Sequence, residues 1–560
     1  MKRRLILLAI LCLFLVLAAC AQQNGTPENI DRPETPKTPD TSISQVSYPT
    51  PDMFPLAENC IGCHDNIKNA DGSTYSYVED WYQSIHAQSA LDPLFLAVAR
   101  AETMHLPEAS ELIQGVCAAC HLPMADFTAQ STGASQAFLD NAARSNHELY
   151  ALYKDGDSCM ICHQLTSKDI PGYESYRGSQ FSIDLGTPKA GDLRTIYSFY
   201  DLSDDGQTFM MKSMGYQSVQ DEEIRSAKSN CSPCHTLYTD SFTVEGVPTG
   251  KQLPEQVTAL EWDMSGFWNS SCQSCHMPLI VARDGALSNR EVADAVKGGI
   301  REHSFLGANA FILRLLNDKF GALDQAIVQS RAYLETETAR LKLSGKVEQG
   351  ADGSDILALN VSIENLVGHK FPTGFPSRRA WLYVKVLDEA GNVIYESGAY
   401  NSKGMILDND GDLKKGEFEP HYNVIDQPGQ VQIYESVMID SNGKATTNLL
   451  QGIYYGKDNR LIPRGFDKRT AHVDCAVVGD AMVDPDFVGG SDTVHYLIPI
   501  PAGSGKLTIE VEFLYQSVSY RFLENLKESP SAEQQILEEL VEKNPNIPEL
   551  VTKGELKINR

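Results

Sequence analysis

The chain of 560 residues carries 74 acidic against 47 basic side chains, a formal net charge of −27, together with thirteen cysteines. So acidic a balance argues against nucleic acid as a partner, and it favours solubility and steering toward partner proteins with basic docking faces. The length allows two or three domains, each with its own core.

At the N-terminus, Lys2, Arg3 and Arg4 precede an apolar run from Leu5 to Leu17, too short to span a bilayer stably but suited to a secretory signal. Leu17-Ala18-Ala19-Cys20 resembles the lipobox of bacterial lipoproteins. Removal of residues 1–19 would leave Cys20 as a lipidated N-terminus, anchoring the chain to a membrane through acyl chains. The expected location is the outer face of the cytoplasmic membrane or the outer membrane, in the periplasm or at the cell surface. Residues 20–55, rich in Pro, Thr, Asp and Gln, are predicted to be a disordered tether.

Residues 56–340 hold five copies of Cys-x-x-Cys-His: Cys60, Cys63 and His64; Cys117, Cys120 and His121; Cys159, Cys162 and His163; Cys231, Cys234 and His235; Cys272, Cys275 and His276. This is the attachment signature of c-type haem. Two thiols three positions apart can form thioethers with both vinyl groups of one porphyrin, and the adjacent imidazole then reaches the iron. Five covalently bound haems c are therefore expected. Zinc cages or local disulfides are the alternatives, and the recurrent histidine and the odd number of motifs fit them badly. The intervals between motifs follow no fixed period. Helices are predicted at Glu108–Ala118, Asn141–Tyr153, Arg290–Ile300 and Leu323–Leu341.

From 341 to 522 the texture changes to alternating, β-branched segments. Strands are predicted at Leu341–Val347, Ile356–Glu364, Ala380–Leu387, Val393–Glu396, Val431–Ile439, Thr493–Pro499 and Lys506–Val518. Glu389-Ala390-Gly391-Asn392 and Ser441-Asn442-Gly443 are hairpin-like turns. The expected fold is thus a mainly α, loop-rich multihaem cytochrome c domain (56–340) followed by an antiparallel β-sandwich (341–522). Residues 523–560 should form a polar helix at Ala532–Lys543 and a loose tail. The run Asp408-Asn409-Asp410-Gly411-Asp412 suggests a solvated turn more than a calcium loop, its glycine being misplaced for an EF-hand. Cys475 is expected as a buried small residue in a strand.

Several segments together resemble a known family. They are Trp81-Tyr82-Gln83-Ser84-Ile85-His86-Ala87, Gly156-Asp157-Ser158-Cys159 through His163, and Cys272 through Met277-Pro278. His303-Ser304-Phe305-Leu306-Gly307 and Gly368-His369-Lys370-Phe371-Pro372-Thr373-Gly374 complete the set. The chain resembles the multihaem cytochromes c related to the tetrahaem electron shuttle of ammonia oxidisers, hydroxylamine oxidoreductase and the octahaem reductases. The resemblance implies distal axial ligands at His86 and His303. It suggests a third at His369, for which a turn histidine bonded to backbone is the competing reading. No motif is Cys-x-x-Cys-Lys, the variant that marks the catalytic haem of the pentahaem nitrite reductases.

Eight histidines lie outside the motifs. His86, His105, His147, His303 and His369 fall within or beside the haem region, so five spare imidazoles face five irons and suggest two per iron. Met124 or Met104 could replace one, and His105 or His147 could be a solvated helix residue. An iron with two imidazoles has no vacancy for substrate. An electron carrier is therefore favoured over an enzyme acting on a small nitrogen or sulfur oxyanion at an open iron. A third reading is an interaction protein whose β region binds a partner or further copies of itself in a filament.

Overall fold

The computed structural model describes residues 54–559 except 69–71, 142–146, 167–181, 184–193, 201, 203, 205–214, 222–223, 225–229, 282–284, 288–294, 297–299 and 351. The signal segment, Cys20 and all but the end of the tether lie outside the described residues, as does most of the helix predicted at Arg290–Ile300. Among the described residues, no helix is long and apolar enough to cross a membrane.

In the first part of the chain short helices alternate with short strand pairs. The helices used below are α1 (Glu58–His64), α2 (Pro93–His105), α3 (Ser110–His121), α4 (Cys159–Gln164), α5 (Ser232–His235), α6 (Gln273–His276), α7 (Ala310–Phe320) and α8 (Asp324–Glu337). Asp92 starts α2 by accepting the Leu94 N–H at 2.8 Å, with Pro93 in the first turn, where its missing donor costs nothing. Leu94, Ala97, Val98 and Ala101 of α2 form one buried face. A hairpin of β1 (Thr236–Phe242) and β2 (Pro248–Val257) follows the fourth motif.

The second part is built of two sheets. β3 (Ala339–Gln349), β4 (Asp355–Asn365), β11 (Ser491–Ile500) and β7 (Val424–Ile425) form the first, in that order, with β7 parallel to β11. The second runs β9 (Ala445–Thr446), β8 (Ile433–Ile439), β5 (Arg379–Leu387), β12 (Leu507–Gln516) and β13 (Glu549–Ile558). On it β6 (Val393–Ser397) pairs with β5 and β10 (Tyr454–Asp458) with β8. Alternate residues of the two sheets share one core: Leu357, Leu359, Val361 and Ile363 of β4 with Val384 and Val386 of β5 and Ile509 and Val511 of β12.

The expectation of a mainly α haem region ahead of an antiparallel sandwich needs correction. Among the described residues helix accounts for 33% and strand for 29%. A haem motif needs one helical turn, so the helices at four of the motifs have only four to seven residues. Strand pairs such as β1–β2 fill the intervals. The tail expected to be loose is β13, paired with β12 from Leu507↔Ile558 to Tyr515↔Glu549.

Core residues also join the two parts. One cluster unites Leu94 and Val98 of α2, Phe311, Leu315 and Leu316 of α7, and Met438 of β8. To these it adds Phe522 of α9 (Tyr520–Leu526) and Leu537 of α10 (Ala532–Lys543). Glu549 at the start of β13 accepts from Arg331 of α8 at 2.7 Å and pairs with Arg314 of α7. The run expected as a solvated turn is exposed at Asp408 and Asp410, but its last residue is an interior anchor: Asp412 binds Arg379 through two parallel bonds of 2.8 and 2.9 Å, both side chains buried.

Candidate haem-binding site

Each motif histidine lies at or next to the end of its helix, in α1, α3, α4, α5 and α6 respectively. Residues i and i+3 share a face of such a turn, so both thiols of a motif point one way. None of the ten motif cysteines is in a disulfide. Among the described residues, a metal-ligating set of three or more Cys, His, Asp or Glu side chains forms only at His421, Asp484 and Asp492, so the motifs do not gather into zinc cages. Thiols of different motifs are close enough to perturb one another: Cys60 and Cys159, Cys231 and Cys272, and Cys120 and Cys234. The first motif thus abuts the third, and the fourth abuts both the fifth and the second.

Three motif histidines face a second imidazole. His163 and His303 have ring centroids 6.5 Å apart with planes 9° apart; His276 and His369 are 6.2 Å and 14° apart; His235 and His86 are 6.2 Å and 75° apart. A metal–imidazole bond of about 2 Å, plus about 1.1 Å from nitrogen to ring centroid, separates two axial rings by roughly 6.2 Å. The gaps match one intervening metal ion.

Hydrogen bonds fix the tautomers. Nδ1 lies against a backbone carbonyl in His64 (Leu287, 2.9 Å), His163 (Tyr197, 2.8 Å), His276 (Leu306, 2.5 Å), His303 (Arg301, 3.2 Å) and His369 (Lys370, 2.8 Å). His121 does the same more loosely with Ser89 at 3.4 Å. A carbonyl only accepts, so Nδ1 carries the proton and Nε2 presents its lone pair, the arrangement of a metal-binding histidine. Burial also keeps these rings neutral: it pushes His86, His121 and His369 down to about 4 and His235 and His303 down to about 3. His86 has its Nδ1 buried without a hydrogen-bond partner. These residues fit haem c.

His105 and His147, the other two candidate ligands, face no motif histidine. Nε2 of His105 bonds to Ser529 Oγ at 3.0 Å, beside the charges of Lys415 and Glu528. His147 caps a turn, its Nδ1 accepting the Leu149 N–H at 3.2 Å. All thirteen histidines lie among the described residues, and none stands opposite His64 or His121. His121 stacks instead on Phe95, centroids 3.8 Å apart and planes 3° apart. Met124 is fully buried in the cluster that Cys117 and Cys162 pack against, whereas Met104 is exposed.

Supporting residues without a sequence signal surround these rings. Asp80 accepts the His303 N–H at 2.5 Å and the Tyr75 hydroxyl at 3.2 Å, and burial followed by the charge of Glu302 pushes its carboxyl up to about 6. Behind His369, Lys370 is buried and paired with Asp458 at 2.7 Å, while Arg460 joins Asp458 to Glu261. The buried cluster at His421 is structural. Gln432 and Asn459 both donate to its Nδ1, and each amide is fixed by a backbone N–H on its oxygen, so Nε2 must carry the proton and donate to Asp484.

Compared with known proteins, the sequence matches no family and no curated protein. Among solved structures, the chain is similar to a penta-heme cytochrome c552 from Thermochromatium tepidum, at 17% identity and a TM-score of 0.48, with 90% of this chain and 99% of that chain covered.

Proposed function

We propose that the protein is a multihaem c-type cytochrome that carries electrons, with five covalently bound haems held at the Cys-x-x-Cys-His motifs. The observation that carries this reading is the set of three imidazole pairs 6.2–6.5 Å apart, each joining a motif histidine to a distant one. When bound, haem supplies one-electron redox chemistry, with potentials set by axial ligands, burial and hydrogen bonding. The chain attaches it through the ten cysteines, orients the imidazoles through backbone carbonyls and keeps them neutral by burial. The adjacency of motifs one to three, four to five and four to two supports transfer from group to group along the chain's interior.

In this reading the protein is exported and lipid-anchored at Cys20, and its acidic surface meets basic redox partners. Cys20→Ser should release signal-cleaved chains into the soluble fraction; continued membrane binding of a Cys20→Ser chain whose signal has been cleaved would overturn the anchor. Haem content is tested by mass spectrometry, which should show five attached groups. Electron paramagnetic resonance (EPR) of the oxidised protein should be dominated by low-spin ferric haem.

A second reading follows from His64 and His121, which face no imidazole. One of their irons would then hold an exogenous ligand, and the protein would be a reductase or oxidase of a small nitrogen or sulfur oxyanion. A high-spin signal that shifts on addition of nitrite, hydroxylamine or tetrathionate would favour it over the carrier.

A further inference from the structure

We infer that His303-Ser304-Phe305-Leu306 is a single clamp orienting the axial imidazoles of three motifs, with Phe305 as its positioning residue; this rests on the electron-carrier reading above. His303 faces His163 of the third motif. The Phe305 ring packs on His86, the partner of His235 in the fourth motif, with centroids 4.5 Å apart at 63°, and on His303 at 6.0 Å and 84°. The Leu306 carbonyl meets Nδ1 of His276 in the fifth motif at 2.5 Å, and the Leu306 N–H returns to the His276 carbonyl at 2.9 Å.

The backbone is committed to this arrangement. Phe305 has φ 47°, a left-handed conformation rare for a bulky L-residue, and such outliers persist only where their surroundings over-determine them. Both flanks are pinned. Asp80 and Tyr75 hold the His303 N–H, while the Gly307 carbonyl accepts the Ser330 hydroxyl. The ring itself joins the cluster of Ala57, Trp81, Ala87 and Cys159. Trp81 donates to the Asp157 carbonyl at 2.8 Å, and the Asp157 N–H donates to the His86 carbonyl at 3.0 Å, so the His86 side of the contact is also held. One aromatic ring thus lies edge-to-face against two axial imidazoles serving different irons. The plane of an axial imidazole splits the iron d orbitals, so its rotation moves both the EPR anisotropy and the potential.

The test uses full-length holoprotein and Phe305→Gly, which removes the ring where glycine suits the backbone. Two low-spin EPR signals and two midpoint potentials should move, and those of the His276/His369 haem should stay. Phe305→Tyr, which keeps the ring, should restore the wild-type spectrum. A Phe305→Gly spectrum superimposable on wild type, with five haems attached, would overturn the proposal. If Phe305→Gly does not assemble, Phe305→Leu takes its place, with the same shifts expected and the same unchanged spectrum counting against the clamp. Failure of both with success of Phe305→Tyr supports the ring's role, and failure of all three counts against it. Absence of low-spin haem from the wild-type protein would instead sink the electron-carrier reading itself.

Discussion

Glu102 on α2 is buried, and its carboxylate accepts the N–H groups of Leu449 at 2.7 Å and Leu450 at 3.4 Å. Burial outweighs those two donors and pushes the carboxyl from an ordinary 4.5 up to about 7. Glu255, equally buried, is pushed up to about 8 by burial and then by the charge of Glu102, and both acids act electrostatically on Cys117. Between pH 4.5 and about 7 the folded chain holds a proton at Glu102 that the unfolded chain has released. Stability therefore falls as pH rises through this window, by about 1.4 kcal/mol per pH unit and about 3 kcal/mol in all, and then levels off for this group. Glu102→Gln removes that slope. At low pH it should cost about 1 kcal/mol, because an amide has one acceptor oxygen for two N–H groups; above pH 7 the variant should be the more stable. Denaturation midpoints of the holoprotein at half-unit steps of pH measure both curves. A constant difference between wild type and variant at every pH would refute the reasoning. An added electron beside Cys117 also favours the proton, so part of the pH dependence of the haem potentials should vanish in Glu102→Gln.

Three further outcomes are expected. The ligand planes at 9° and 14° should give two rhombic low-spin EPR signals and the pair at 75° one strongly anisotropic signal, because crossed planes leave two iron d orbitals nearly degenerate; three similar signals would contradict the pairing. His105→Ala and His147→Ala should leave the low-spin haem content unchanged, whereas His86→Ala should convert one haem to high spin, all read from the same spectra. Asp412→Ala should lower stability by about 3–5 kcal/mol in urea titrations, since it strands the buried guanidinium of Arg379, and Arg379→Met with Asp412→Leu should recover most of the loss.

Of the strands from 339 to 516, β3, β4, β5, β6, β8, β11 and β12 were legible and the short β7, β9 and β10 were not, because alternation over a sufficient length maps directly onto a sheet with one buried face: the apolar residues of Ile356–Glu364 include Leu357, Leu359, Val361 and Ile363, which point into the shared core. Both hairpin turns join antiparallel pairs, β5 to β6 and β8 to β9. The helix at Ala532–Lys543 has the bounds expected of it, started by Ser531, whose hydroxyl accepts the Gln534 N–H. α2 and α7 went unread although Asp92-Pro93 is a clear start signal; their apolar faces pack on chain hundreds of residues away. β13 reads as polar because only Glu549 and Val551 are buried on it, and its place depends on pairing with β12. At the candidate site the motifs were plain from spacing. The grouping of His163 with His303, or of Phe305 with His86, is tertiary, and no local pattern encodes it.

The placement of β13 bears on how this molecule can be divided. A fragment of 341–522 has the strand texture of a self-sufficient unit, yet it would end before β13 and turn β12 into a free edge from Leu507 to Gln516. Such an edge offers a row of unpaired backbone donors and acceptors to any passing chain. Cutting there would also take Glu549 from Arg314 and Arg331, leaving two guanidinium groups of the helical part without their shared carboxylate. A dissected β region would thus tend to precipitate or dimerise through that edge, and a fragment carrying 549–558 would not.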